Sequence, residues 1–144
     1  MPKLLLHIGA AYKELNLWGS ALAVFEKARP FYGKKDRPSH ALMGVVECAY
    51  KLKEFDKAEK AARTFVVSHP SHGKVAEAYL FLGKILLMRK DHKKALESLN
   101  AALAKRPDGA TRLEVLSAKA RASNALGDYA AAISSLESAI ALLN

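Results

Sequence analysis

The residues able to do chemistry are few and scattered. His69-Pro70-Ser71-His72 has the spacing that lets two imidazoles face one ion, but no third ligand stands beside it in the sequence. A zinc centre needs three or four ligands of fixed geometry, so the pair reads as ordinary loop histidines. His7 has apolar neighbours, and His92 occupies a packing position of the repeat set out below. Cys48 is the sole cysteine, which excludes an internal disulfide and a cysteine-built zinc site. Glu47 and Ala49 flank it and no neighbouring lysine or histidine would stabilise a thiolate, so it reads as buried and inert. Phosphate loops of the G-x-x-x-x-G-K-[ST] or G-x-G-x-x-G type are absent, as is the G-x-S-x-G turn that presents a nucleophilic serine. No catalytic constellation, cofactor site or metal site follows, and an enzyme is not expected.

Charge is the other candidate chemistry. Lysine and arginine number 23 against 14 acidic residues, a formal net charge of +9. The excess is shared by both halves, so it is a property of the whole molecule and not of a basic tail; it permits acidic partners without specifying one. The densest cluster comprises Lys84, Arg89, Lys90, Lys93, Lys94, Lys105 and Arg106, against Asp91 and Glu97. Arg89 to Lys94 surrounds a turn, where long cationic side chains are normally solvated. Nonspecific phosphate attraction to RNA is an alternative that these charges allow.

The elements that must position these residues repeat. Ala21, Ala58, Ala95 and Ala132 are spaced 37 residues apart. Three residues before each stands Trp18, Phe55, His92 or Tyr129, and four after each stands Phe25, Ala62, Leu99 or Leu136. Ala28, Phe65, Ala102 and Ala139 keep the same period, and Gly9 and Gly83 lie two periods apart. The units are residues 2–38, 39–75, 76–112 and 113–144 of a single domain. Each reads as two helices. In the third unit Ala76, Tyr79, Leu80, Gly83, Leu86 and Leu87 form one helical stripe, and Ala95, Leu96, Leu99, Ala102 and Leu103 form another. Asp91 is the expected N-cap of that second helix, and Pro107-Asp108-Gly109 closes it. Thr111 with Glu114 predicts a capping box for the next helix, and Gly127-Asp128 supplies a turn and cap in the fourth unit. No segment shows the alternation of a strand, so the fold class is all-α. Alanine and glycine mark where the paired helices cross closely, and Trp18, Phe55 and Tyr129 are expected to fill the space beside each turn.

Tyr79-x2-Leu82-Gly83-x2-Leu86, Ala95-x3-Leu99-x2-Ala102 and Pro107, with Ile8-Gly9-x2-Tyr12 and Ala21-x3-Phe25-x2-Ala28, resemble the tetratricopeptide repeat signature over essentially the whole chain. The resemblance implies a right-handed α-solenoid of four helix-turn-helix units that recognises other proteins and catalyses nothing. The sequence departs from the family pattern in three places. Its period exceeds the usual length. Pro30 should end the second helix early and leave 33–38 as an irregular loop. Ala120 and Ser123 replace a glycine and a tyrosine in the fourth unit.

By the resemblance, the first helix of each unit lines a concave groove. Its fifth positions read Leu6, Met43, Leu80 and Ser117; three apolar residues there cannot hydrogen-bond base edges, which disfavours sequence-specific RNA reading. Family members that clamp a terminal carboxylate use lysine and asparagine where this chain has Leu6 and Ala10, so that clamp is missing. Leu6, Met43, Tyr50, Leu80 and Leu87 are instead expected to form an apolar strip, with Lys84 and Arg121 favouring acidic flanks on the bound segment. The expected function is a cytoplasmic scaffold or adaptor that docks a protein segment in this groove. A chaperone of a bacterial secretion system is a narrower alternative, because such chaperones resemble this architecture.

The end of the chain carries a further expectation. Ile133, Leu136, Ile140 and Leu143 follow helical spacing on one face, and Glu137 is the one charge after Asp128. Solenoids need polar end faces. This face is therefore expected to be covered, by self-association or by the remainder of a longer chain. No run is long and apolar enough for a membrane span.

Overall fold

Each period of the sequence folds into a helix pair. The computed structural model describes residues 2–28 and 39–143. Among them are eight helices and no strand: α1 (Pro2–Glu14), α2 (Trp18–Ala28), α3 (Ser39–Lys51), α4 (Phe55–Ser68), α5 (Val75–Met88), α6 (His92–Ala104), α7 (Gly109–Ala125) and α8 (Tyr129–Ala141). The end expected at Pro30 and the loop expected at 33–38 lie outside the described residues. Two compact units, Met1–His72 and Gly73–Asn144, hold two helix pairs each.

One turn geometry is used four times. Asn16, Lys53, Lys90 and Gly127, one per repeat at the same position, all adopt positive φ, from 59° to 80°. The amide after each reaches back five residues: Leu17 to the Tyr12 carbonyl, Glu54 to Ala49, Asp91 to Leu86 and Asp128 to Ser123, at 2.8–2.9 Å. This is the left-handed closure that satisfies the last carbonyls of a helix and reverses the chain. Only the fourth repeat uses glycine; asparagine and lysine accept the steric cost in the other three. In α6 and α8 the following aspartate caps the next helix, Asp91 accepting from the Lys94 amide and Asp128 from the Ala131 amide. The cap of α7 differs from the expected capping box. Asp108 is the N-cap, accepting from the Thr111 amide at 2.8 Å, and Thr111 is buried inside the first turn. The helix thus begins three residues earlier than Thr111 as its cap suggested.

In the first unit α1 and α2 pair, and α3 packs on both; in the second α5 and α6 pair, and α7 packs on both. The small residues explain the close approach. A Cβ added at Gly9 would lie 2.8 Å from the Phe25 ring, and one at Gly44 only 2.5 Å from the same ring. A Cβ at Gly83 would lie 2.6 Å from Leu99. Phe25 therefore fills a slot roofed by glycines of α1 and α3, within a core of Leu6, Ala21, Leu22, Ala28 and Cys48. Leu99 does the same beneath Gly83, sharing a core with Leu80, Ala102, Val115, Ala118 and Ala122. Ion pairs cross these helix contacts: Lys13–Glu47 at 2.7 Å between α1 and α3, Lys57–Glu26 at 2.8 Å between α4 and α2, and Lys84–Glu114 at 2.8 Å between α5 and α7.

Candidate functional site

The residues expected to line one apolar strip divide into three groups. Leu6, Met43 and Leu80 are buried, with Leu6 and Leu80 inside the two cores just described, so none of the three presents an anchor surface. Tyr50 and Leu87 are half-buried, Tyr50 edge-on to Phe55 with ring centroids 5.7 Å apart and Leu87 against the second core. Lys84 is held by Glu114 and stands 5.7 Å over the Phe81 ring. Arg121 alone of the seven is exposed to solvent.

Arg121 belongs instead to the other predicted surface. α7 and α8 enclose a shallow recess of about 380 Å³ with Arg121 on one wall and Tyr129, Ile133 and Leu136 on the other. Ala120 and Ala132 form its floor, and Ser117 and Asn124 complete the α7 side. Ile133, Leu136, Ile140 and Leu143 are all exposed, Leu143 at 71%. Tyr129 is exposed too, although its position was expected to pack beside the turn. The equivalent Trp18 is half-buried beneath Lys51, whose ammonium lies 5.8 Å over the indole; Lys51 comes from the following helix pair. From sequence Ser117 was assigned to the groove row and Tyr129 to the space beside the turn; their meeting in one recess was not expected.

The remaining chemistry-bearing side chains are structural. His69 and His72 each pack on the Phe65 ring at 5.4 Å, with their own centroids 6.2 Å apart. Among the described residues no group of three or more histidines, cysteines or carboxylates is placed to hold a metal ion. Cys48 is buried in the first core, and burial, assisted by Glu47, pushes its thiol up to about 11, which keeps it protonated at neutral pH. His92 stands at its packing position with Nδ1 buried. No helix among the described residues is long and apolar enough to cross a membrane.

Two tetratricopeptide repeat profiles match the chain, one over residues 46–110 and the other over residues 113–142. The chain belongs to the tetratricopeptide repeat family. Solved tetratricopeptide repeat-like structures agree in fold. A crystal structure of MamA superposes with a TM-score of 0.85 at 18% identity, covering 98% of this chain and 77% of that one. MamA from Desulfovibrio magneticus RS-1 gives 0.81 at 20% identity, over 99% and 75% of the two chains. BtubC from P. vanneervenii gives 0.82 at 20% identity, over 99% of this chain and 64% of that one. No curated protein matches the sequence. The tetratricopeptide repeat fold is that of a protein-interaction scaffold.

Proposed function

We propose that this tetratricopeptide repeat protein is a non-enzymatic cytoplasmic scaffold that docks a segment of another protein through apolar anchors with acidic flanks. The observation that carries this reading is the exposed α7–α8 face: Tyr129, Ile133, Leu136, Ile140 and Leu143 lie open to solvent beside Arg121, in a chain of net charge +9. Leaving such side chains in water forfeits about 1.5–3 kcal/mol each relative to burial, so the face favours a covered state. Further chain or a second copy are other ways to cover the same face. The four repeats act in this reading as one binding domain, with the buried Leu6, Met43 and Leu80 holding the framework and not the ligand.

The test is capture of the partner from the source cell by three forms of the chain. The wild type and Leu4→Asp, an exposed change on α1, should retain it; Leu136→Asp should lose it at low and high salt alike. Retention by Leu136→Asp would overturn the reading. Capture that survives Leu136→Asp but collapses steeply as salt rises would assign the protein to electrostatic RNA binding instead.

A further inference from the structure

We propose that the turn end of the second unit, built from the α5–α6 and α7–α8 turns, docks on an anionic lipid bilayer. Met88 and Leu126 enter the headgroup region, and Arg89, Lys90, Lys93 and Lys94 meet the lipid phosphates and carboxylates. The inference goes beyond the scaffold reading and uses a different surface, since neither Met88 nor Leu126 lines the α7–α8 recess.

Two observations meet at this end. The first is charge: four of the six residues from Arg89 to Lys94 are cations, and all four are exposed. The carboxylates of the two turns, Asp91 and Asp128, are engaged locally as N-caps, accepting from the Lys94 and Ala131 amides, and Asp91 also stands 3.8 Å from the Lys94 ammonium. The second is apolar exposure. Met88 is 54% exposed and Leu126 41%. Among the described residues between α1 and α8, the exposed large apolar side chains other than Val67 all lie at turns of this kind: Leu15, Leu17 and Leu52 in the first unit, Met88 and Leu126 in the second. Burial within the repeats therefore spares the turns and little else.

The two turns are neighbours. α7 packs on both α5 and α6, and in the first unit the same relation brings Lys51 of one turn to 5.8 Å over Trp18 of the other. Exposure here does not depend on how far the array continues. α7 is already in place against α5 and α6, yet Met88, Arg89 and Lys90 remain open, because helices stack by their sides and the turns project from their ends. A further helix pair would cover helix faces and leave the turns uncovered.

A bilayer fits this combination. It requires no recess of matching shape, only apolar side chains standing among cations; methionine is unbranched and adaptable, and lysine stems lie along apolar surface while their ammonium groups stay at the phosphates. An anionic leaflet attracts clusters of four or more basic residues. RNA is disfavoured, because Met88 and Leu126 have no aromatic face on which a base would stack.

The test is co-sedimentation of the full chain with vesicles. Binding is expected to phosphatidylcholine vesicles containing about 30% phosphatidylserine and not to phosphatidylcholine alone. Lys90→Glu with Lys93→Glu should weaken binding at least about tenfold. Lys105→Glu with Arg106→Glu makes the same change in net charge about 20 Å away, at the other end of α6, and should weaken it no more than about twofold. Met88→Ser with Leu126→Ser should weaken it about tenfold while leaving the salt dependence intact. A readout that needs no charge reversal is an environment-sensitive dye on Met88→Cys, which labels selectively because Cys48 is buried. Its emission should shift to the blue on the phosphatidylserine vesicles, and that of the same dye on the exposed Ala104→Cys should not. Indifference to phosphatidylserine, equal losses from the two charge reversals, indifference to the Met88 and Leu126 changes, or an unshifted dye at residue 88 each overturns the proposal. So does displacement of the chain from vesicles by an equal concentration of oligouridine RNA, which would assign the cations to a polyanion instead.

Discussion

Replacing Gly83 with alanine adds one methyl group at the crossing of α5 and α6. The new Cβ would lie 2.6 Å from Cδ2 and 2.7 Å from Cγ of Leu99. Leu99 is fully buried, so its side chain has no solvent to swing into and α5 and α6 must separate. Overpacking of this kind costs about 1–3 kcal/mol. Against it stands the helix preference of alanine over glycine, worth about 1 kcal/mol. The net expectation is destabilisation by about 1–2 kcal/mol, read as a lower urea midpoint with an unchanged slope. Two companions make the reasoning refutable. Leu99→Ala alone should cost about 2–5 kcal/mol by opening a cavity, and Gly83→Ala added to it should then stabilise, because the methyl enters the space vacated. Gly19→Ala, where an added Cβ meets nothing within 4 Å, should be neutral or mildly stabilising. If Gly83→Ala in the wild-type background behaves like Gly19→Ala, the crossing is not held by glycine. The fourth repeat already carries Ala120 at this position, and its partner Leu136 lies half in solvent where Leu99 is enclosed.

Lys90→Gly relieves a positive φ of 61° and should raise stability by about 1 kcal/mol in the same urea titration; a loss would mean that the lysine side chain contributes more than its backbone costs. Asp128→Ala removes the bond to the Ala131 amide at 3.1 Å and should cost about 1 kcal/mol, with the effect visible as fraying of α8 in amide exchange. The Asp108 carboxylate is held below its ordinary 3.8 by the backbone amide of Thr111, so its contribution is complete above that value and fades as pH falls below it; Asp108→Asn should flatten that part of an acid titration of stability. With its thiol pushed up to about 11 by burial, Cys48 should resist alkylation by iodoacetamide at pH 8 in the native protein and react readily in denaturant; equal rates would contradict its place in the core.

Most of the framework was legible along the chain, because it depends on contacts within one repeat. The period of 37 residues located the helix pairs, the alanines and Gly9 and Gly83 marked their crossings, and Asp91 and Asp128 announced helix starts that occur where expected. Such features need only local backbone geometry and one partner at a constant sequence distance. The start of α7 was read three residues late because Asp108 and Thr111 are both competent caps, and only the backbone path decides which carries the amide.

Solvent exposure was not legible, because it depends on what lies beyond the repeat. Leu6, Met43 and Leu80 share a position whose residue type suits a ligand anchor or a core side chain equally well; how near the neighbouring helices come decides between them. Gly44 shows the same dependence, since its purpose appears only when the Phe25 ring of a different repeat is seen beneath it. Leu99 and Leu136 occupy identical positions in successive units, yet one is sealed and the other half open. Their own covalent surroundings are alike. The difference is that α7 packs on the face that contains Leu99, and no described helix packs on the face that contains Leu136, so burial of one side chain and exposure of the other are set by the neighbour and not by the residue.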